Sequence, residues 1–325
     1  MPANLTPQYL EVEKRYREAK DPQEKLELLK EMLATIPKHK GTEKLQADIK
    51  KRTAKLQDLL QKREKVGRKG AQYLFPREGA GQIALIGPPN SGKSSIVAVT
   101  THARPEVESY PFTTWTPTAG MMPFEDIQFQ LIDTPPLSEE HNEPWLFDIV
   151  RKADLALLVV DISDKPLDDI EGSIEILGCR KIMLTGLERT ERPGFATKKA
   201  IIIGNKLDLP DGPGNAGVLE ELYGDRIPLL FISTLDGDSL ERLKAFIFLQ
   251  LAIVRVYTKT PGKKPEFDRP YIVPAGSTVH DIATLVHHDI ARSLSYARIW
   301  GEGKEGLRIP RDYVVRDKDI LEFHI

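Results

Sequence analysis

Between about residue 80 and residue 252, short apolar runs alternate with longer stretches of helix-like spacing. Residues 83–86, 131–132, 154–161, 201–203 and 230–232 are such runs, rich in Ile, Leu and Val. They are too short for helices and mostly lack a polar alternate, the pattern of strands buried on both faces. Strands that alternate with helices predict a mostly parallel sheet covered by helices, with ligands at the carboxyl ends of the strands. Residues 184–196 interrupt the rhythm. They are polar and carry Gly and Pro, and read as either a small insertion or a mobile loop.

The periodicity changes on either side. Residues 1–75 predict three helices. Thr6-Pro7 is a cap followed by proline at the first helical position, and Tyr9, Val12, Tyr16 and Ala19 form one stripe. Asp21-Pro22 repeats the start signal, with Leu26, Leu29, Leu33 and Ile36 as the stripe and Pro37 as the stop. Thr42 caps a long third helix whose apolar face runs Leu45, Ile49, Leu56, Leu60. Gly67, Gly70, Gly79 and Gly81 mark a hinge. Beyond Leu251, residues 254–258 alternate like a half-buried strand, Pro261-Gly262 turns, and 271–273 is a second short strand. Thr278 caps a helix reaching His288, and 296–300 and 320–325 complete four strands, the pattern of a small β-grasp domain. The expected fold is α/β in three parts. These are a helical segment at 1–75, a phosphate-loop (P-loop) domain at 80–252 and a β-grasp domain at 253–325.

The chemistry collects where the buried strands end. After the first strand comes Gly87-Pro88-Pro89-Asn90-Ser91-Gly92-Lys93-Ser94, which fits Gly, four residues, Gly-Lys-Ser. A glycine-rich strand-to-helix turn aims backbone N–H groups at one point, and the helix N-terminus adds positive potential there. Lys93 can reach outer phosphates and the Ser94 hydroxyl can ligate Mg²⁺. Leu131-Ile132-Asp133-Thr134-Pro135 ends in a carboxylate able to hold that metal through a water. Ile203-Gly204-Asn205-Lys206-Leu207-Asp208 ends the next run. The Asp208 carboxylate can accept two hydrogen bonds from the guanine edge, a pair adenine does not offer, so Asp208 selects GTP over ATP. Asn205 and Lys206 brace that loop and cover the base. Ser233 and Thr234 close a further strand where they can back the base. Tyr110-Pro111-Phe112-Thr113-Thr114 lies between the first two motifs, where a threonine can complete the Mg²⁺ shell. Each piece alone is ordinary loop composition; five in this order are not.

Composition narrows the class. The 325 residues are 40% hydrophobic and 29% charged, values of a soluble globular protein. No apolar stretch approaches the roughly 18–20 residues of a membrane span, and the first residues lack the apolar core of a secretory signal. The single cysteine, Cys179, excludes an internal disulfide, fits a reducing cytoplasm and is expected to be a buried small residue. His280, His287 and His288 have no cysteine or clear carboxylate partner, so no metal site is expected there. The net charge of −2 hides an asymmetry: residues 1–75 carry 18 Lys+Arg against 11 Asp+Glu, so the rest is net −9. Lys50, Lys51, Arg52, Lys55, Lys62, Arg63, Lys65, Arg68 and Lys69 cluster around the third helix. Such a cluster is either a solvated helical face or a footprint for the phosphate backbone of RNA.

The chain resembles the Obg/Drg family of translation-linked GTPases, specifically the Drg branch with its carboxy-terminal TGS domain. The phosphate loop, Tyr110-Pro111-Phe112-Thr113-Thr114 and Asn205-Lys206-Leu207-Asp208 carry the likeness. So do Val256-Tyr257-Thr258-Lys259, Tyr296-Ala297-Arg298-Ile299-Trp300-Gly301 and, at the front, Lys38-His39-Lys40-Gly41-Thr42-Glu43. The resemblance implies a cytoplasmic GTPase, slow without a partner, acting near ribosomes or structured RNA, with a protein regulator conceivable and DNA not expected. It implies phosphate contacts at Asn90, Ser91, Gly92, Lys93, Ser94 and Ser95, and guanine contacts at Asn205, Lys206 and Asp208. It places Mg²⁺ ligation at Ser94 and Thr114 and puts Lys93 and Thr114 in the catalytic role. In related GTPases that need K⁺, an asparagine at the position of Asn90 helps hold the ion, so K⁺ joins GTP/GDP and Mg²⁺ as an expected cofactor. The alternative is a nucleotide-sensing RNA- or ribosome-binding adaptor with little hydrolysis. The family expects Asp-x-Pro-Gly where this chain has Asp133-Thr134-Pro135-Pro136, followed by Leu137, and the Drg insertion between Asp161 and Ala200 looks shortened.

Overall fold

The computed structural model describes residues 7–18, 22–36, 46–47, 49–53, 75–101, 117–138, 140, 142–186 and 192–325. The chain divides into two compact units, residues 1–74 and 75–325.

In the first unit, Pro at the first helical position starts both α1 (Pro7–Glu18) and α2 (Pro22–Thr35). Tyr9 and Val12 of α1 pack on Leu28, Leu29 and Met32 of α2, together with Ile36 and Ile49. The α2 stripe is thus centred on Leu28, Leu29 and Met32; Leu26 is only half-buried. Lys50, Lys51 and Arg52 are exposed beside buried Ile49 and Thr53. Ala19, Leu45, Leu56, Leu60 and the basic residues from Lys55 to Lys69 lie outside the described residues.

The second unit holds two sheets. The larger has seven strands: β1 (Gln82–Ile86), β2 (Thr118–Phe124), β3 (Ile127–Asp133), β4 (Leu155–Asp161), β5 (Ile182–Thr185), β6 (Ala196–Asn205) and β7 (Leu229–Phe231). Their order is β2-β3-β1-β4-β6-β5, with β7 also on β6. All neighbours are parallel except the β2–β3 hairpin. β1 is buried at every position and β4 at all but its last, as strands covered on both faces require. Helices α3 (Lys93–Thr100), α4 (Pro144–Lys152), α5 (Pro166–Cys179), α6 (Gly212–Tyr223) and α7 (Gly237–Leu251) alternate with these strands. Part of the region 184–196 is strand: β5 ends at Thr185 and β6 begins at Ala196. Cys179, expected in the core, is exposed, because α5 ends there.

The second sheet has five strands, β8 (Ile253–Thr258), β9 (Glu266–Pro274), β10 (Tyr296–Gly301), β11 (Lys304–Ile309) and β12 (Asp319–His324), ordered β11-β10-β12-β8-β9. Thr278 and Asp281 form a capping box that starts α8 (Val279–Val286), as the cap signal predicts. Two elements depart from expectation. The helix breaks at His287, which caps a separate α9 (His288–Ser293). The charged, glycine-bearing stretch 304–309 is the edge strand β11. Val256, Ile282, Ala283, Ala297, Ile299 and Leu321 form this sheet's core.

Candidate nucleotide site

The loop from β1 to α3 needs its glycines. Gly87 has φ +141 and a Cβ there would stand 2.2 Å from the Val159 carbonyl oxygen. Gly92 has φ +95 and a Cβ there would stand 2.1 Å from Asn205 Nδ2. Both conformations suit glycine alone. The close approach at Gly92 lets Asn205 Nδ2 donate to the Ser91 carbonyl at 3.0 Å, so the turn after β6 is stitched to the phosphate loop. Asn205 is 1% exposed and its Oδ1 has no partner, leaving an acceptor at the seam.

A cleft of about 1220 Å³ opens at the carboxyl ends of the strands. Asn90, Gly92, Lys93, Ser94, Ser95 and Asp133 line it. So do Asn205, Lys206, Asp208 and Thr234. Asp208 is exposed at the rim. Two of the sequence candidates sit differently. Ser91 is fully buried, lies behind the residues that line the cleft, and its Oγ donates to the Pro88 carbonyl at 3.1 Å. Ser233 is buried and accepts from the Leu235 N–H at 3.2 Å, supporting the turn that presents Thr234 and Leu235. Thr114 lies outside the described residues.

Lys93 is 6% exposed. Its ammonium donates to the Pro88 carbonyl at 2.7 Å, the Gly87 carbonyl at 3.1 Å and Ser91 Oγ at 3.3 Å. Burial pushes its pKa down to about 8, against the opposing charges of Asp133 and Asp169. A phosphate beside it favours the charged form, so the pKa in a complex is higher than in the free protein. Nucleotide affinity is therefore expected to be full below pH 8 and to fall by up to about tenfold per unit as pH rises beyond it. Titrations from pH 7 to 9.5 check this; Lys93→Gln should bind weakly and lose the slope.

Ser94 Oγ donates to Asp133 Oδ2 at 2.5 Å, and Asp133 Oδ1 is buried with no partner. Burial raises the Asp133 pKa, opposed by Ser94 and Lys93. An orphaned carboxylate oxygen beside a hydroxyl is a hard-oxygen donor set, and it fits Mg²⁺. Among the described residues, no cluster of His, Cys, Asp and Glu forms any other metal cage, and His287 serves as a helix cap.

Sequence reasoning missed two contacts. Lys206, at φ +66, pairs with Asp161 at the end of β4, and Asp161 also accepts from the Ser163 N–H and Oγ. Burial raises the Asp161 pKa, but the Lys206 and Ser163 bonds outweigh it and the net shift is downward. The second contact is the Leu137 N–H, which donates to the Gly87 carbonyl at 2.9 Å. With Thr134 Oγ1 donating to the Leu85 carbonyl at 2.6 Å, it ties residues 134–137 to the end of β1 and the first residue of the phosphate loop.

Residues 82–193 match the 50S ribosome-binding GTPase family, and residues 254–325 match the TGS domain. A GTP-binding protein of Methanocaldococcus jannaschii is 27% identical over 92% of this chain and 92% of its own. Developmentally-regulated G-protein 2 of Arabidopsis thaliana is 26% identical over 86% of this chain and 84% of its own. Over most of its length the chain is thus similar to Drg GTP-binding proteins. The YchF GTPase of Schizosaccharomyces pombe shares the fold, with a TM-score of 0.51 at 13% identity over 77% of this chain and 99% of that one. The chain carries a GTPase domain, with GTP or GDP as its ligand, and a TGS β-grasp sheet. No helix among the described residues is long and apolar enough to cross a membrane.

Proposed function

We propose that this protein is a slow, Mg²⁺-dependent GTPase that switches the binding of a ribosome or structured RNA in the cytoplasm. The observation that carries the reading is one cleft lined by the phosphate loop, by Asp133 and by Asn205, Lys206 and Asp208. Asn90, Gly92, Ser94 and Ser95 cradle phosphates. Ser94 and Asp133 would hold Mg²⁺, with Thr114 completing the shell, and Asn90 would hold K⁺. Bound Mg²⁺ would neutralise charge on the β- and γ-phosphates. Lys93 stabilises the same charge from the protein side, and Asp208 reads guanine while Thr234 backs it.

Slow turnover alone follows from residues 135–137. Pro135 and Pro136 have no N–H, and the Leu137 N–H is committed to the Gly87 carbonyl. The γ-phosphate therefore meets no free amide in this stretch. A hydrogen bond to such a charged acceptor is worth about 1.5–3 kcal/mol. Pro136→Gly is expected to raise the preference for GTP over GDP about tenfold, read as the ratio of dissociation constants. The same residues support the second reading, an adaptor in which nucleotide is mainly a structural ligand.

The basic front segment supports an RNA partner, with Lys50, Lys51 and Arg52 exposed on one helical stretch. The test is co-sedimentation with ribosomes across a salt series. Affinity should fall steeply with salt, and reversing four charges of the segment should flatten the slope. Salt-independent binding, or none, would count against the RNA reading.

A further inference from the structure

Arg255 on β8 of the TGS sheet is only 2% exposed and heads the fully buried side chains by size. Nη1 donates to Glu125 Oε2 and to Asp126 Oδ1, both at 2.6 Å. Nε and Nη2 fork onto Asp317 at 3.1 and 2.7 Å. The guanidinium lies 4.9 Å from the Phe248 ring centre, and the Tyr257 hydroxyl donates to Asp126. Ile253 and Ile272 of the TGS sheet pack on the core of the larger sheet around this point. Arg255 thus joins a TGS strand and the β12 approach to a turn of the nucleotide-binding sheet.

That turn is the tip of the β2–β3 hairpin, whose register is unbroken from Phe124 opposite Ile127 to Thr118 opposite Asp133. Thr118 and Asp133 line the nucleotide cleft. Seven paired residues span about 20 Å, so one hydrogen-bonded ladder runs from the buried guanidinium to the metal side of the cleft. The planar fork of an arginine fits its carboxylates in a narrow geometry, and a buried charge tolerates the loss of partners poorly. The junction therefore favours discrete positions of the hairpin tip rather than gradual drift.

We propose that Arg255 is a positioning residue that couples the TGS domain to the nucleotide cleft through the β2–β3 hairpin. The proposal rests on the guanine-nucleotide reading and adds its route of regulation. Whatever engages the TGS domain then alters the affinity for GTP relative to GDP, and nucleotide alters the TGS domain by the same factor.

The test uses the full chain loaded with GDP or with a non-hydrolysable GTP analogue. Amide exchange is followed over residues 253–258 and 118–133, alongside the two dissociation constants. In the wild type, exchange at 253–258 should differ between the two nucleotides. In Arg255→Met that difference should vanish and the GTP-to-GDP affinity ratio should change by at least about fivefold. Tyr257→Phe, which keeps the ion pairs, should shift both readouts in the same direction by less, and decides the matter if Arg255→Met does not fold. A wild type whose 253–258 exchange ignores the nucleotide overturns the proposal. So does a folded variant whose ratio is unchanged. Failure of the wild type to bind guanine nucleotide at all overturns the underlying reading first.

Discussion

Asp208→Asn is expected to weaken GTP binding by about 10²-fold and to admit xanthine nucleotides. The wild-type carboxylate offers two acceptors to the two donors of the guanine edge. The amide turns one acceptor into a donor and removes the charge. Losing one charged hydrogen bond and setting two donors against each other costs about 2–4 kcal/mol in a site built for the pair. The loop around the substitution should persist, because Asn205 is held by the Ser91 carbonyl and Lys206 by Asp161, not by Asp208. Competition titration with GTP, xanthosine triphosphate and ATP reads the result directly. An unchanged order of affinities would place guanine recognition elsewhere.

Arg255→Met is expected to give the largest loss of stability. Removing one partner of a buried charge network leaves the others unpaired and typically costs about 3–5 kcal/mol. Here Asp126 and Asp317 are 27% and 31% exposed and Glu125 is 47% exposed, so water rescues part of the charge and the lower end applies. For a unit the size of residues 75–325, about 3 kcal/mol lowers Tm by roughly 6–12 °C. The network also carries a pH signature. Lys318 and Arg255 hold the Glu125 carboxyl below the usual glutamate value. Burial pushes Asp126 up, but Tyr257 and Arg255 outweigh it and hold it below the usual aspartate value. Depressed carboxylates contribute stability above their unfolded values and lose it as pH falls through the folded ones. The wild-type advantage over Arg255→Met should therefore be full above about pH 5 and shrink as pH falls through 4 and below. Thermal melts of the two proteins at pH 7 and pH 3.5 check both points.

The larger fold was legible because its strands are pure apolar runs that end in chemistry. The runs at residues 83–86, 154–161 and 201–203 form β1, β4 and β6, and no competing periodicity obscures them. β11 was not legible. It is the edge strand Lys304–Ile309, and with Ile309 at its end as the single buried residue it has no apolar face to announce it. β5 was missed at the edge of the polar stretch 184–196, because only four residues, Ile182–Thr185, pair with the start of β6. Cys179 illustrates the weakness of residue-type priors: a small apolar side chain at a helix end follows the end, not the core.

The cleft itself shows the same division. Lys93, Ser94, Asp133 and Asp208 line it, each carried by a short motif whose spacing is set by the strand-to-loop turn. Contacts between motifs were out of reach. Asp161 meets Lys206 across 45 residues, and the Leu137 amide meets Gly87 across 50, through strand order rather than local pattern. Arg255 reads as one charged residue in an alternating strand; its burial depends on Asp126, which lies 129 positions away.

A guanine-specific switch of this kind should hydrolyse slowly until a partner engages it. Multiple-turnover phosphate release, with GTP or ATP, in K⁺ or Na⁺, with and without ribosomes, tests it most directly. Release is expected from GTP and not ATP, slow for the protein alone and faster with ribosomes in K⁺. Brisk unassisted turnover, equal use of ATP, or indifference to both ribosomes and K⁺ would contradict it.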